Sequence, residues 1–209
     1  MPRLAGKCVC LVVAHEFEDI ELLYPLLRLS EEGAAIIVAT LAKERHFHTR
    51  PYFADKPITG RFGSTVPVVV LEEGKRYTHR ELDSIDISEI DALVFPGGFS
   101  PDYLRLDSRA LCLVADCYRA GKLVAAICHG PQVLISTDRV MGTDVVRGRK
   151  VTAYRAVKDD LDNAGAEYLD VPAVRDGNVV TGRVPDDLPE FCQQVIEFLA
   201  QTPTRTAHA

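Results

Sequence analysis

The chain has 209 residues, of which 47% are apolar and 26% charged, with a formal net charge of −6. This length and composition suit one globular α/β domain with a full core. They exclude other classes: no basic stripe makes an electrostatic case for a nucleic-acid partner, and no apolar stretch approaches the length of a membrane span. The opening Met1-Pro-Arg-Leu-Ala-Gly-Lys7 leads directly into a strand-like run, without the h-region and small-residue cleavage site of a secretory signal, so the expected location is cytoplasmic.

Cys8 to Ala14 is a short apolar run rich in β-branched residues and reads as a central parallel strand. His15-Glu-Phe-Glu-Asp19 follows, then a helical pattern through Ile20, Leu23, Leu26, Leu27 and Leu29, ended by Gly33. Ala35 to Leu41 is a second strand, and this β-α-β opening predicts a parallel sheet. Residues 42 to 65 lose the pattern. His46 and His48 in this stretch lack a third ligand and read as residues of a solvated loop rather than a metal site.

Ile58 to Gly63 resembles a turn, Val66 to Leu71 a further strand, and Glu72 to Ser88 a polar connection with a short helix near Arg80 to Asp83. Asp91-Ala-Leu-Val-Phe-Pro-Gly-Gly98 is a buried strand ending in glycines that let backbone N–H groups approach a ligand. Pro101 to Ala120 reads as one helix closed by Gly121. Beyond residue 128 the pattern predicts a helix to about Asp138, a strand-like stretch from Val145 to Thr152 and a helix over Ala156 to Asn163. Short strands near Glu167–Asp170 and Asn178–Thr181 and a last helix from about Asp187 to Ala200 complete the chain. Nothing within 1–201 reads as a linker, repeat or low-complexity segment, so this span is expected to be a single domain, and 202–209 a disordered polar tail.

Six cysteines are present, none in a C-x-x-C pair, which suits a reducing compartment. Cys8 and Cys10 share one face of the first strand, and Cys112, Cys117 and Cys192 fall in amphipathic helical patterns; these five read as core fillers. Cys128 is different. It ends the apolar run Leu123–Ile127 and precedes His129, Gly130 and Pro131, where a new helix begins. A strand turning sharply into a helix with a nucleophile at the corner is the nucleophile-elbow arrangement. It presents the sulfur to the helix N-terminus, whose free N–H groups favour thiolate over thiol.

The histidines prune the enzyme classes. Papain-like peptidases, α/β-hydrolases and elbow-type glutamine amidotransferases need a histidine well downstream of the nucleophile. Here only His208 follows His129, and it lies in the tail. The basic partner is therefore His129 itself or something upstream.

Ala126-Ile-Cys-His-Gly-Pro-Gln132 resembles the signature of the ThiJ/PfpI family, which includes intracellular cysteine peptidases and the Parkinsonism-associated deglycase. The resemblance runs through Glu16–Pro25, Ile58–Gly63, Phe95–Gly98, Gly148-Arg-Lys150, Val157–Asp160, Asn163–Gly165 and Asp176–Asn178, in order. It implies a flavodoxin-like three-layer α/β sandwich with a mostly parallel central sheet. It further implies Cys128 as nucleophile with His129 beside it, and Glu21 from the first βα corner against the thiol. Glu18, one helical turn earlier, and Arg61 join the residues expected near substrate, and the N–H groups of Gly98 and His129 are expected to hold a developing oxyanion.

Two departures stand out. Asp102 occupies the place where the peptidase-like branch carries a glutamate that orients the histidine of a neighbouring subunit, and it is one methylene shorter. Lys43 to Lys56 resembles an insertion near the pocket.

The resulting expectation is a cysteine-dependent enzyme without metal or organic cofactor, acting on reactive carbonyls such as methylglyoxal or its early adducts. The family implies a homo-oligomer, either a dimer or a ring of dimers. A peptidase using the Cys128–His129 pair is the runner-up, and a redox-sensing stress protein without turnover is a third reading, since an exposed low-pKa thiol oxidises readily.

Overall fold

The computed structural model describes residues 2–42, 45 and 56–203. Strands β1 (Cys8–Val13) and β2 (Ala35–Thr40) flank helix α1 (Asp19–Glu31). Two-residue strands β3 (Ile58–Thr59) and β4 (Thr65–Val66) make a small antiparallel hairpin. Next come β5 (Thr78–Glu81), β6 (Ala92–Phe95), α2 (Ser100–Leu104), α3 (Ser108–Arg119), β7 (Leu123–Ile127) and α4 (Pro131–Met141). The chain closes with β8 (Lys150–Val151), α5 (Lys158–Asn163), β9 (Glu167–Tyr168), β10 (Ala173–Asp176), β11 (Val179–Gly182) and α6 (Leu188–Gln201).

Among the described residues, seven strands form one sheet in the order β10-β11-β7-β6-β1-β2-β5. All neighbours pair in parallel except β10 with β11. The period-two alternation of each strand divides the core into two layers. From β1, Cys8, Cys10 and Val12 pack with Leu113, Val114 and Cys117 of α3 and Val133 and Leu134 of α4. Val9, Leu11 and Val13 pack with Leu22, Leu26 and Leu29 of α1 and Phe191, Val195 and Leu199 of α6. Being covered on both faces is why the central strands read as unbroken apolar runs. The α/β sandwich with a mostly parallel sheet is therefore as expected. Of the five cysteines read as core fillers, Cys112 is half-buried and the other four are buried.

Several element predictions are corrected. Val66–Leu71 is not a strand: pairing stops at Val66, Pro67 has no N–H to donate to a ladder, and Val69 and Val70 are exposed. The segment predicted as a helix near 80–83 instead holds β5, a polar edge strand paired with β2, followed by a single 3-10 turn over Leu82–Ser84. The 101–120 helix is two helices, because Asp107 accepts the Ala110 N–H at 2.9 Å and caps a fresh start. From the 145–152 stretch only Lys150–Val151 is strand. The buried Asp138 carboxylate takes the N–H groups of Val145, Val146 and Arg147, which a ladder would otherwise use. β10 was missed because its alternation is weak.

At the C-terminus, Thr202 and Pro203 are tied down rather than loose, since Lys7 Nζ donates to both carbonyls at 2.9 and 2.7 Å. His46, His48 and nearly all of the 43–56 segment lie outside the described residues, as do 204–209. Among the described residues no helix is long and apolar enough to cross a membrane.

Candidate active site

The site forms where the carboxyl ends of β1, β6 and β7 meet, the place where an open parallel sheet leaves a crevice. Cys128 follows β7 with a left-handed φ of 62°, a conformation that non-glycine residues adopt at a cost of about 1 kcal/mol or more. Main-chain bonds on both sides hold it: Cys128 N donates to Gly182 O at 3.0 Å, and Tyr154 N donates to Cys128 O at 2.9 Å. Gly130 makes the elbow possible, because a Cβ there would lie 2.4 Å from Phe95 O.

Opposite the sulfur stands the Gly97–Gly98 turn after β6. A Cβ on Gly97 would meet Cys128 Cβ, Glu21 Oε2 and His129 N, all at 2.8 Å. Gly98 has φ 72°, and a Cβ would fall 2.4 Å from Glu16 O. The first βα corner is laced to this turn: Glu18 N donates to Gly97 O and Phe99 N to Glu16 O.

Glu21, in the first turn of α1, is fully buried, and Gly97 N donates to its Oε2 at 2.6 Å. Its Oε1 has no hydrogen-bond partner, although the Cys128 thiol is near enough to interact with the carboxyl. Burial is the main reason its pKa is pushed up to about 7. The Gly97 N–H and the thiol pull the other way; the Glu18 charge adds to the rise and Arg61 opposes it.

The sequence expectation of an exposed thiolate is corrected. Cys128 is only 8% accessible, and burial followed by the Glu21 charge pushes its thiol well above the usual cysteine range. The N–H groups of His129 and Gly98 favour the thiolate, as expected of an elbow, but burial first and the Glu21 charge second outweigh them. The pair therefore behaves as one unit sharing a proton.

His129 is half-buried and stacks on Tyr154, with ring centroids 5.0 Å apart. Burial lowers its pKa, Asp102 raises it and Arg61 lowers it. Asp102 is exposed in the first turn of α2 and acts on the histidine of its own chain. Arg61 reaches the same mouth from the loop between β3 and β4. It pairs with Glu18 Oε2 at 2.9 Å, and its guanidinium lies over the rings of Phe62 and Phe99 at 5.7 and 5.3 Å.

Glu18, Glu21, Arg61, Gly98, Asp102, Cys128 and His129 thus converge. Sequence reasoning assigned the Gly97 and Gly98 N–H groups to a ligand and did not foresee that Gly97 N–H fixes Glu21; it missed Tyr154, whose ring backs His129. It also missed Asp19, although an acid flanked by Glu18 and Glu21 at a strand-to-helix corner was a usable signal. Among the described residues no group of three or more His, Cys, Asp or Glu is placed to hold a metal ion.

The DJ-1/PfpI family profile matches residues 7–198. The chain belongs to the DJ-1/PfpI family. Among its relatives, a deglycase of Pyrococcus horikoshii is 39% identical over 191 residues, covering 91% of this chain and 98% of that protein. A Bacillus subtilis protein provisionally named a cysteine protease is 36% identical over 194 residues, covering 93% and 99%. A solved two-domain structure from Anabaena variabilis, with DJ-1/ThiJ/PfpI-like and ferritin-like domains, superposes with a TM-score of 0.73 at 31% identity. It covers 97% of this chain, and this chain spans about half of that one, 52%.

Proposed function

We propose that this DJ-1/PfpI member is a cysteine-dependent, cofactor-independent enzyme that converts reactive carbonyls, methylglyoxal or its early adducts on amines and thiols, into hydroxy acids. The observation that carries the reading is the buried Glu21 carboxyl, pushed up to about 7, beside the Cys128 thiol. The deglycase name of the Pyrococcus relative supports it.

When the shared proton sits on Glu21, the sulfur is a thiolate and can attack the aldehyde carbon. The C–S bond forms, the carbonyl electron pair moves to oxygen, and that oxygen takes the Glu21 proton, giving a hemithioacetal. The N–H groups of Gly98 and His129 stabilise the charge while it develops. Glu21, now a carboxylate, and His129 then move a proton from the former aldehyde carbon to the neighbouring carbonyl carbon, while the hemithioacetal hydroxyl proton passes to the neighbouring carbonyl oxygen and the C=O bond re-forms at the sulfur-bearing carbon. This yields a 2-hydroxy thioester. Water cleaves it, returning the thiol and releasing the hydroxy acid. One carbon is oxidised and its neighbour reduced, so no outside oxidant is required. Cys128→Ser should abolish methylglyoxal consumption by the pure protein; unchanged turnover eliminates the reading.

A peptidase reading has one observation in its favour, the action of Asp102 on His129 within the chain, together with the name of the Bacillus relative. Hydrolysis of a fluorogenic peptide by wild type but not by Cys128→Ala would favour it. Self-association into a dimer or ring of dimers is proposed from the same family likeness, and light scattering on the full chain reads it.

A further inference from the structure

Asp19 is the first residue of α1, and an acid there is ordinarily explained by the helix dipole. Its carboxylate, however, is turned away to another part of the chain. Oδ2 accepts the N–H of Phe62 at 2.8 Å and Oδ1 the N–H of Ser64 at 2.7 Å. Gly60 packs so tightly on the same carboxylate that a Cβ would lie 2.5 Å from Oδ2. Gly60 N donates to Ser64 O, Gly63 N to Gly60 O and Arg61 N to Phe17 O, closing the 60–64 loop around the acid and tying it to the first corner. Asp19 is buried, so its two charge-assisted bonds are sheltered from water.

We propose that Asp19 is a positioning residue of the active site: by organising the 60–64 loop it holds the Arg61 guanidinium against Glu18 at the mouth of the Cys128 crevice. The groups facing Glu21 are Cys128, the Gly97 N–H, Glu18 and Arg61; those facing His129 are Asp102, Arg61 and the Tyr154 ring. Arg61 and Glu18 act on Glu21 in opposite senses. Without Asp19 the loop loosens, Arg61 leaves, and Glu18 acts unopposed. The Cys128–Glu21 pair then gives up the first of its two protons, the step that leaves one to share, only at higher pH. The consequence rests on that pair being the reactive centre, and the test below needs no carbonyl substrate, so it stands or falls separately from the reaction proposed above.

The test is the rate of iodoacetamide alkylation at Cys128, followed by peptide mass spectrometry from pH 5 to 9. Asp19→Ala should move the midpoint up by about half a unit, which is about a threefold slower rate at pH 6. Arg61→Ala should do the same, and the double variant should move it no further. The sign is diagnostic. Deleting a negative charge that acted directly would move the midpoint down. Gly60→Ala keeps the Asp19 charge but forces the loop off it, and should reproduce the upward shift; it also serves if Asp19→Ala fails to fold by circular dichroism. A folded Asp19→Ala or Gly60→Ala with an unmoved or lowered midpoint overturns the proposal, even if stability falls. So does a double variant whose shift is the sum of the singles.

Discussion

Gly97 donates its N–H to Glu21 Oε2 at 2.6 Å, so the acid that faces Cys128 is fixed by main chain rather than by a flexible side chain. The residue that would otherwise be the least constrained part of the pair is therefore placed by the same turn that supplies Gly98. A donor held this way should act without reorganising. Glu21→Gln keeps the shape and removes the transferable proton. Carbonyl turnover should fall by about 10²-fold or more in kcat, with a far-ultraviolet circular dichroism spectrum like wild type.

The same carboxyl makes stability depend on pH. Its folded pKa, about 7, lies above the value of about 4.3 expected for an unfolded chain. The folded state therefore holds the proton more tightly between those values, and stability falls as pH rises through that window, by about 4 kcal/mol at most. Above pH 7 the loss is complete. Urea unfolding of wild type and Glu21→Gln from pH 4 to 8 should show this slope in wild type and its absence in the variant.

His129 should titrate below the ordinary histidine value, because burial disfavours its charged form and outweighs Asp102. Asp102→Asn should lower it further. The sign for stability is opposite to that of Glu21: the unfolded state binds the proton more readily, so this contribution is lost as pH falls below about 6.5. Imidazole resonances followed by NMR in wild type and Asp102→Asn check both statements. A His129 pKa that rises in the variant contradicts them.

Gly98→Ala should be among the most damaging single-methyl changes in the chain. The position has φ 72°, and the new Cβ would meet Glu16 O at 2.4 Å and Glu18 N at 2.6 Å, both backbone atoms. A loss of about 2–4 kcal/mol in unfolding free energy is expected, with Cys128 alkylation altered in whatever protein remains folded.

Asp138 organises the segment after α4 through four acceptor bonds, from Thr143 Oγ1 at 2.7 Å and from the N–H groups of Val145, Val146 and Arg147 at 2.7, 2.9 and 3.1 Å. Asp138→Ala leaves the donors of buried Thr143, Val145 and Val146 unpaired, and about 3 kcal/mol of stability should be lost. The midpoint of urea unfolding measures it.

The reach of sequence reasoning followed the physics of each segment. β1, β6 and β7 are buried on both faces, and their apolar runs announced them. β5 is a polar edge strand whose pairing is set by β2 rather than by its own pattern, so its residues alone suggest a polar connection with a short helix. The 145–149 segment carries strand-like residues, yet a distant carboxylate claims its N–H groups, and no local rule reveals that. At the site, the elbow was legible because Cys-His-Gly-Pro encodes one geometry. The state of the sulfur was not, since exposure and proton sharing depend on how closely Gly97 and Glu21 crowd it. The Gly97–Gly98 pair marked a close approach of backbone N–H groups but not their partner, Glu21, and the Tyr154 ring has no sequence mark of its own.

The near-sealed setting of Cys128 sorts what can reach the sulfur. With only 8% of Cys128 open to solvent, a reactive group carried on a slender tether should reach it more easily than one borne directly on a folded backbone. For the reaction proposed above, an adduct at a lysine tip, four methylenes from its main chain, should enter more easily than a modified peptide segment, and a free dicarbonyl more easily than either. Reagent bulk should rank in the same way, with small alkylators reaching the sulfur and dye-linked maleimides stopped at the rim.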